Sequence, residues 1–174
     1  VGIKKPSLYN HFASKDDIIS EMYSLLRKQA QKQNSVSADF DSLFDADSLE
    51  DILTVSLSGY IRFLSDKDML TFFKVLYSER STSPAAAQIM LEETECMINN
   101  TKTLFYALVV HGKMKNDSVD TAAVSYAMTI HGLVDRQMDI MTANKAADPI
   151  TEISEEMKEY IRWFSKQVEV DEHE

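Results

Sequence analysis

The side chains best suited to meeting a ligand are concentrated in one run near the start of the chain: Gly2, Ile3, Lys4, Lys5, Pro6, Ser7, Leu8, Tyr9, Asn10, His11, Phe12, Ala13, Ser14, Lys15, Asp16, Asp17 and Ile18. Pro6 fits the first turn of a short helix, where its missing N–H costs nothing. Leu8 and Phe12 lie four apart and share one inward face, which leaves Ser7, Asn10 and His11 outward and Tyr9 at the flank. Hydroxyl, amide, phenol and imidazole groups set side by side are the donors and acceptors that contact phosphates and base edges of DNA. Lys4 and Lys5 add positive charge before this helix. Lys15 adds more at the start of the next, where unpaired backbone N–H groups also favour an anion. An isolated Tyr or His on a helix is ordinary surface, and an isolated Lys is a solvated charge. Meaning attaches to the run as a whole.

No catalytic constellation accompanies it. His11, His111, His131 and His173 form no His-Glu-x-x-His or paired Glu-x-x-His set, no Gly-x-Ser-x-Gly elbow occurs, and four scattered glycines make no phosphate loop. The expectation is a chain without catalytic residues, bound metal or cofactor. Cys96 is the single cysteine and forms no intrachain disulfide, which suits a reducing compartment. The longest stretch without a charged residue, Thr121 to Val134, is shorter than the roughly 18 apolar residues of a membrane span. No basic segment followed by an apolar one opens the chain, so a cytoplasmic protein without membrane contact is expected.

Charge is divided unevenly. The 174 residues carry a net −10, yet residues 1–33 hold six bases (Lys4, Lys5, Lys15, Arg27, Lys28, Lys32) against three acids (Asp16, Asp17, Glu21), a net of +3. The other 141 residues hold twelve bases against twenty-five acids, a net of −13. A basic head on an acidic body fits a protein that meets DNA at one end only.

The elements that must position these residues are helical. Gly occurs four times and Pro three, while strong helix formers fill the segments between. Seven segments show helical periodicity and none alternates as a strand does, which predicts an all-α fold. The first covers about 6–12. The second opens at Ser14 with Asp17 three residues on, runs to about 33, and places Ile18, Ile19, Met22, Leu25 and Leu26 on one side. The pattern dissolves from Gln33 to Asp47, where a domain boundary is expected. A third helix follows Ser48 with Leu49, Ile52, Leu53, Tyr60, Phe63 and Leu64 inward, and a fourth carries Leu70, Phe73, Leu76 and Tyr77. The fifth starts at Ser83-Pro84 and ends near Gly112. A sixth covers about 118–144, and a seventh follows Asp148-Pro149 with Ile153, Met157, Ile161 and Phe164. The sixth is apolar on more than one side, which fits either a second subunit or the centre of a monomeric bundle.

The run from Gly2 to Ile18 resembles the recognition-helix signature of TetR-family repressors, approximately Gly-Val-Ser-x-Gly/Pro-Thr/Ser-Leu-Tyr-x-His-Phe-x-Ser-Lys-Glu/Asp-x-Leu/Ile. The resemblance implies the last part of a helix-turn-helix DNA-binding domain over 1–33, followed by a helical effector-binding and dimerisation domain over 48–170. Lys4, Lys5, Ser7, Tyr9, Asn10, His11 and Lys15 would contact double-stranded DNA, with Leu8 and Phe12 as packing residues. Lys4 stands where the family often has Ser or Thr. The family places two further helices ahead of this point, so omission of a preceding segment is expected. A homodimer is implied, with Val124, Met128, Gly132, Ile153, Met157, Ile161 and Phe164 at the interface. Gly132 costs about 1 kcal/mol within a helix, which a close crossing of paired helices would justify. A pocket for a small apolar or planar effector is implied among the third to sixth helices. Plausible lining is Tyr60, Phe63, Phe73, Tyr77, Met90, Met97, Tyr126 and His131, each of which also fits the core. The function implied is a regulator released from its operator by a small molecule. A helical sensor or adaptor that does not bind DNA is the alternative.

Overall fold

The computed structural model describes residues 11–33, 48–145 and 150–170. Lys4, Lys5, Ser7, Tyr9 and Asn10, most of the 6–12 helix and the 34–47 connection lie outside the described residues. Six helices are present among those described: α1 (Lys15–Gln33), α2 (Leu49–Leu64), α3 (Lys67–Glu79), α4 (Pro84–Val110), α5 (Val119–Ala143) and α6 (Glu155–Val168). The fold is all-α, with one isolated antiparallel bridge between Met114 and Glu169. No described helix is long and apolar enough to cross a membrane.

Local chemistry sets the ends of the helices. Ser14, Ser48, Ser83 and Ser154 each accept a backbone N–H three residues ahead through Oγ, from Asp17 (3.1 Å), Asp51 (3.2 Å), Ala86 (3.1 Å) and Met157 (3.3 Å). Each satisfies a donor that the first helical turn leaves unpaired. At the far end of α4, Gly112 takes a φ of 68°. Its N–H bonds to the Val109 carbonyl and the Lys113 N–H to the Leu108 carbonyl, at 3.0 and 2.9 Å. These are the paired bonds of a Schellman stop, which needs a residue without a Cβ penalty in the left-handed region. The chain then returns to the end of α6, where the Lys115 N–H bonds to the Val168 carbonyl.

Two compact units can be distinguished, residues 1–36 with 67–94 and residues 37–66 with 95–174. In the first, α1 packs on α3. Ile19 of α1 is buried, as are Met69, Phe72, Phe73 and Leu76 of α3. Met69 and Phe72 take the places expected for Leu70 and Tyr77, because the buried stripe 69, 72, 73, 76 is the 3.6-residue face of this helix. Met22 and Leu25, expected inward on α1, are 43% and 56% exposed. In the second unit α6 packs on α2 and α5. Its core holds Ile52, Leu53, Leu57 and Ile61 of α2, Phe105 and Leu108 of α4, Tyr126, Ile130 and Val134 of α5, and Met157, Ile161 and Phe164 of α6. The Ser65 hydroxyl donates to the Ile61 and Ile150 carbonyls, which ties the end of α2 to the segment leading into α6.

Candidate functional site

The start of α1 carries what is described of the basic run. His11 is exposed in the turn before the helix and Phe12 is half-buried. An open cleft beside them is lined by Asp17, Ser20, Glu21 and Ser24 as well as His11. Its two carboxylates make it a poor seat for phosphate. Lys15 is exposed and its Nζ lies 2.6 Å from the Glu79 carboxylate at the end of α3. An ion pair this open contributes at most about 1 kcal/mol, so the ammonium is easily drawn to a stronger anion.

Farther along α1 the side chains turn to α4. Asp16 Oδ1 accepts the Ser83 hydroxyl at 2.6 Å. Two turns on, the Tyr23 hydroxyl donates to Glu93 Oε1 at 2.7 Å, and Arg27 Nη2 lies 2.6 Å from the same oxygen. Arg27 Nε also reaches the Tyr23 oxygen at 3.4 Å, and its guanidinium sits 5.9 Å from the ring centroid. The Tyr23 ring in turn stacks against Phe72 of α3, with centroids 6.4 Å apart. Burial pushes the Tyr23 phenol above its usual pKa and Arg27 opposes that shift, so the hydroxyl remains a proton donor to Glu93. In the sequence Arg27 is one of the six bases of the head, and nothing there singles out Tyr23 or Glu93. The i, i+4 spacing of Tyr23 and Arg27 was visible in the sequence, but Glu93, seventy residues from Tyr23, was not connected to it.

The expected pocket residues divide between the units. Phe73, Tyr77 and Met90 belong to the first, and Tyr60, Phe63, Met97, Tyr126 and His131 to the second. Phe73 and Met90 are buried, and Tyr77 is half-buried with the Arg80 guanidinium 4.8 Å from its ring centroid. Tyr60, Phe63, Met97 and His131 are half-buried. Tyr126 is the centre of an aromatic cluster, with ring centroids 5.5 Å from Phe105, 5.0 Å from Phe164 and 5.8 Å from Tyr160. Trp163 continues the cluster at 5.9 Å from Tyr160.

Within this cluster the Tyr126 hydroxyl is buried and has no hydrogen-bond partner among the described residues. Burial drives its pKa far upward and the neighbouring Tyr160 adds to the shift, so it stays a neutral donor. His131 Nδ1 and Ser165 Oγ are also buried without partners among the described residues. The other imidazole nitrogen of His131 lies 3.8 Å from Asp135, one turn along α5. The Tyr160 phenol differs: burial raises its pKa, while hydrogen bonds with Thr129 and Ser125 work against the rise. A buried polar group without a partner costs about 1–3 kcal/mol.

The expected interface residues separate into two sets. Val124 and Met128 are 39% and 45% exposed, and Gly132 is exposed with nothing within 4 Å of where a Cβ would stand. Their i, i+4, i+8 spacing places them in one stripe on α5. Met157, Ile161 and Phe164 instead lie in the subunit's own core, at 5% exposure or less. These three are core residues and not the contact surface expected of them, because the apolar face of α6 is consumed by α2 and α5. Ile153 precedes the helix and is half-buried. The outward side of α6 presents Trp163.

Residues 51–165, which run from within α2 to within α6, are matched by a family model described as the AefR-like transcriptional repressor, C-terminal domain. The chain belongs to the TetR family of transcriptional regulators. No curated protein and no solved structure gives a significant match. The matched segment contains the aromatic cluster, the Val124 stripe and all the expected pocket residues of this TetR-family chain. The basic run lies before the matched segment.

Proposed function

We propose that this TetR-family regulator is a homodimeric repressor that binds a roughly palindromic DNA operator through residues 1–33 and is released by a small molecule bound within residues 48–170. The observation that carries the reading is the conjunction of the family match over 51–165 with the basic Gly2–Ile18 run earlier in the chain. Lys4, Lys5, Ser7, Tyr9, Asn10, His11 and Lys15 contact the operator. Half-sites lie about one helical turn, ~34 Å, apart or a multiple of it, so that two heads engage one face of the duplex. A coupling of about 1–3 kcal/mol between effector and DNA weakens operator binding about 5- to 150-fold. The protein works in the cytoplasm, where its DNA is.

The effector is largely apolar and planar, with one polar group that reaches the Tyr126 hydroxyl or His131 Nδ1. The orphaned hydroxyl of Tyr126, whose ring lies among Phe105, Tyr160 and Phe164, supports that class. Tyr126→Phe removes a buried hydroxyl that has no partner among the described residues. The ligand-free protein is therefore expected to gain about 1 kcal/mol in denaturant unfolding. A loss of stability would mean that the hydroxyl is already bonded.

The deciding experiment is binding of the full-length protein to DNA flanking its own gene across a salt series. Tight, sequence-selective binding that a Tyr9 or His11 substitution destroys supports the repressor. A folded dimer that binds neither this DNA nor other genomic fragments points to a sensor or adaptor. In the same series, Lys15→Ala is expected to weaken all sequences alike and to flatten the salt dependence by about one unit of slope, as loss of one phosphate contact does. An unchanged slope would remove Lys15 from the phosphate contacts and leave it paired with Glu79.

A further inference from the structure

Asp16 bonds to Ser83, and Tyr23 and Arg27 bond to Glu93. The contacts advance by about the same number of residues along both helices. The body of α1 therefore runs beside the first ten residues of α4 in the same direction, fastened at both ends of the shared stretch. The far fastening is the stronger. One Glu93 oxygen receives a hydroxyl at 2.7 Å and a guanidinium at 2.6 Å, and its side chain is only 15% exposed. Charged, short and partly shielded bonds of this kind hold geometry better than open surface pairs do. They also involve one of the six bases of the head, Arg27, which lies on the helix that follows the basic run.

We propose that Glu93 is a positioning residue for DNA binding: by clamping Tyr23 and Arg27 it fixes α1, and with it Lys15 at its start and His11 just before it, in one orientation on the start of α4. Arg27 then serves the clamp and not a phosphate. This rests on the DNA-binding reading above and adds to it residues that touch no DNA themselves. A positioning role and a phosphate role leave different marks. Loss of a phosphate contact lowers the salt slope by about one, whereas a loosened head binds more weakly with the slope unchanged.

The test compares the full-length wild type with Glu93→Gln, Arg27→Ala and the charge-swapped pair Arg27→Glu with Glu93→Arg. Each is titrated with the flanking DNA over a salt series, and amide hydrogen exchange is followed along residues 15–33. Glu93→Gln and Arg27→Ala are expected to bind about tenfold more weakly with an unchanged slope, and to exchange faster along α1. The swapped pair is expected to recover most of both losses, which a variant that merely fails to fold would not do. Full DNA affinity in Glu93→Gln overturns the proposal, as does a slope lowered by about one in Arg27→Ala. If the wild type binds no genomic fragment, the DNA-binding reading fails by itself. Unchanged exchange in Glu93→Gln would overturn the clamp regardless of DNA.

Discussion

Replacing Phe105 by Ala is expected to destabilise the protein by about 3–5 kcal/mol, the cost of removing a fully enclosed aromatic side chain and leaving a cavity behind it. Phe105 is 0% exposed, and its ring meets Tyr126 at 5.5 Å and Phe164 at 5.6 Å. It therefore joins α4, α5 and α6 at a single point. A domain of this size is stable by about 5–15 kcal/mol, so the loss would take a large part of the whole. In urea or guanidinium the midpoint should fall while the slope of the transition holds. Phe105→Leu, which keeps most of the volume, should cost well under half as much. A Phe105→Ala protein within about 1 kcal/mol of wild type would mean that the cluster is loosely packed.

The second large effect is expected at the surface. Val124, Met128 and Gly132 form a stripe that the subunit does not cover, and Gly132 has open space where a side chain would stand. In a two-fold dimer a patch meets its own copy, so one Met128→Glu substitution places two carboxylates in the same contact. Desolvating both against one another costs several kcal/mol, enough to dissociate a micromolar dimer. Sedimentation should then report a monomer, and operator affinity should fall about a hundredfold or more because the two heads no longer act together. The subunit itself should unfold at nearly the wild-type midpoint, since Met128 is 45% exposed. Persistence of the dimer would remove this stripe from the interface. The single tryptophan, Trp163, is 57% exposed on α6. A blue shift of its emission on dimerisation would bring α6 into the contact as well.

A linear pattern holds local information better than the pairing of distant segments. Helix ends were legible because they are local: Ser48 before α2, Ser83-Pro84 at α4 and Gly112 after it act within a few residues of themselves. Which apolar positions face inward was less legible. Met157, Ile161 and Phe164 read equally well as surface for a second subunit or as core, because periodicity defines a face without saying what covers it. On α3 the expected face is displaced by one residue, since Leu70 and Tyr77 also continue a helical stripe with Phe73 and Leu76. On α1, Met22 and Leu25 carry the right residue types at the right spacing and are nevertheless exposed. The basic run was legible as a motif. The Tyr23–Arg27–Glu93 set was not, because its partners are brought together only by the packing of α1 and α4.

Ser83 serves two helices at once. Its hydroxyl oxygen accepts the Ala86 N–H that opens α4, while its proton goes to Asp16 of α1. The residue is 7% exposed, so water offers little replacement for either bond. A hydroxyl polarised by a carboxylate is a better acceptor, and the cap of one helix is thereby strengthened by the presence of the other. The beginnings of α1 and α4 should accordingly open as one cooperative unit, the first turn of α4 fraying whenever α1 lifts away. Heat or denaturant would dismantle this corner in a single step, although the residues that form it are separated by more than sixty positions of chain.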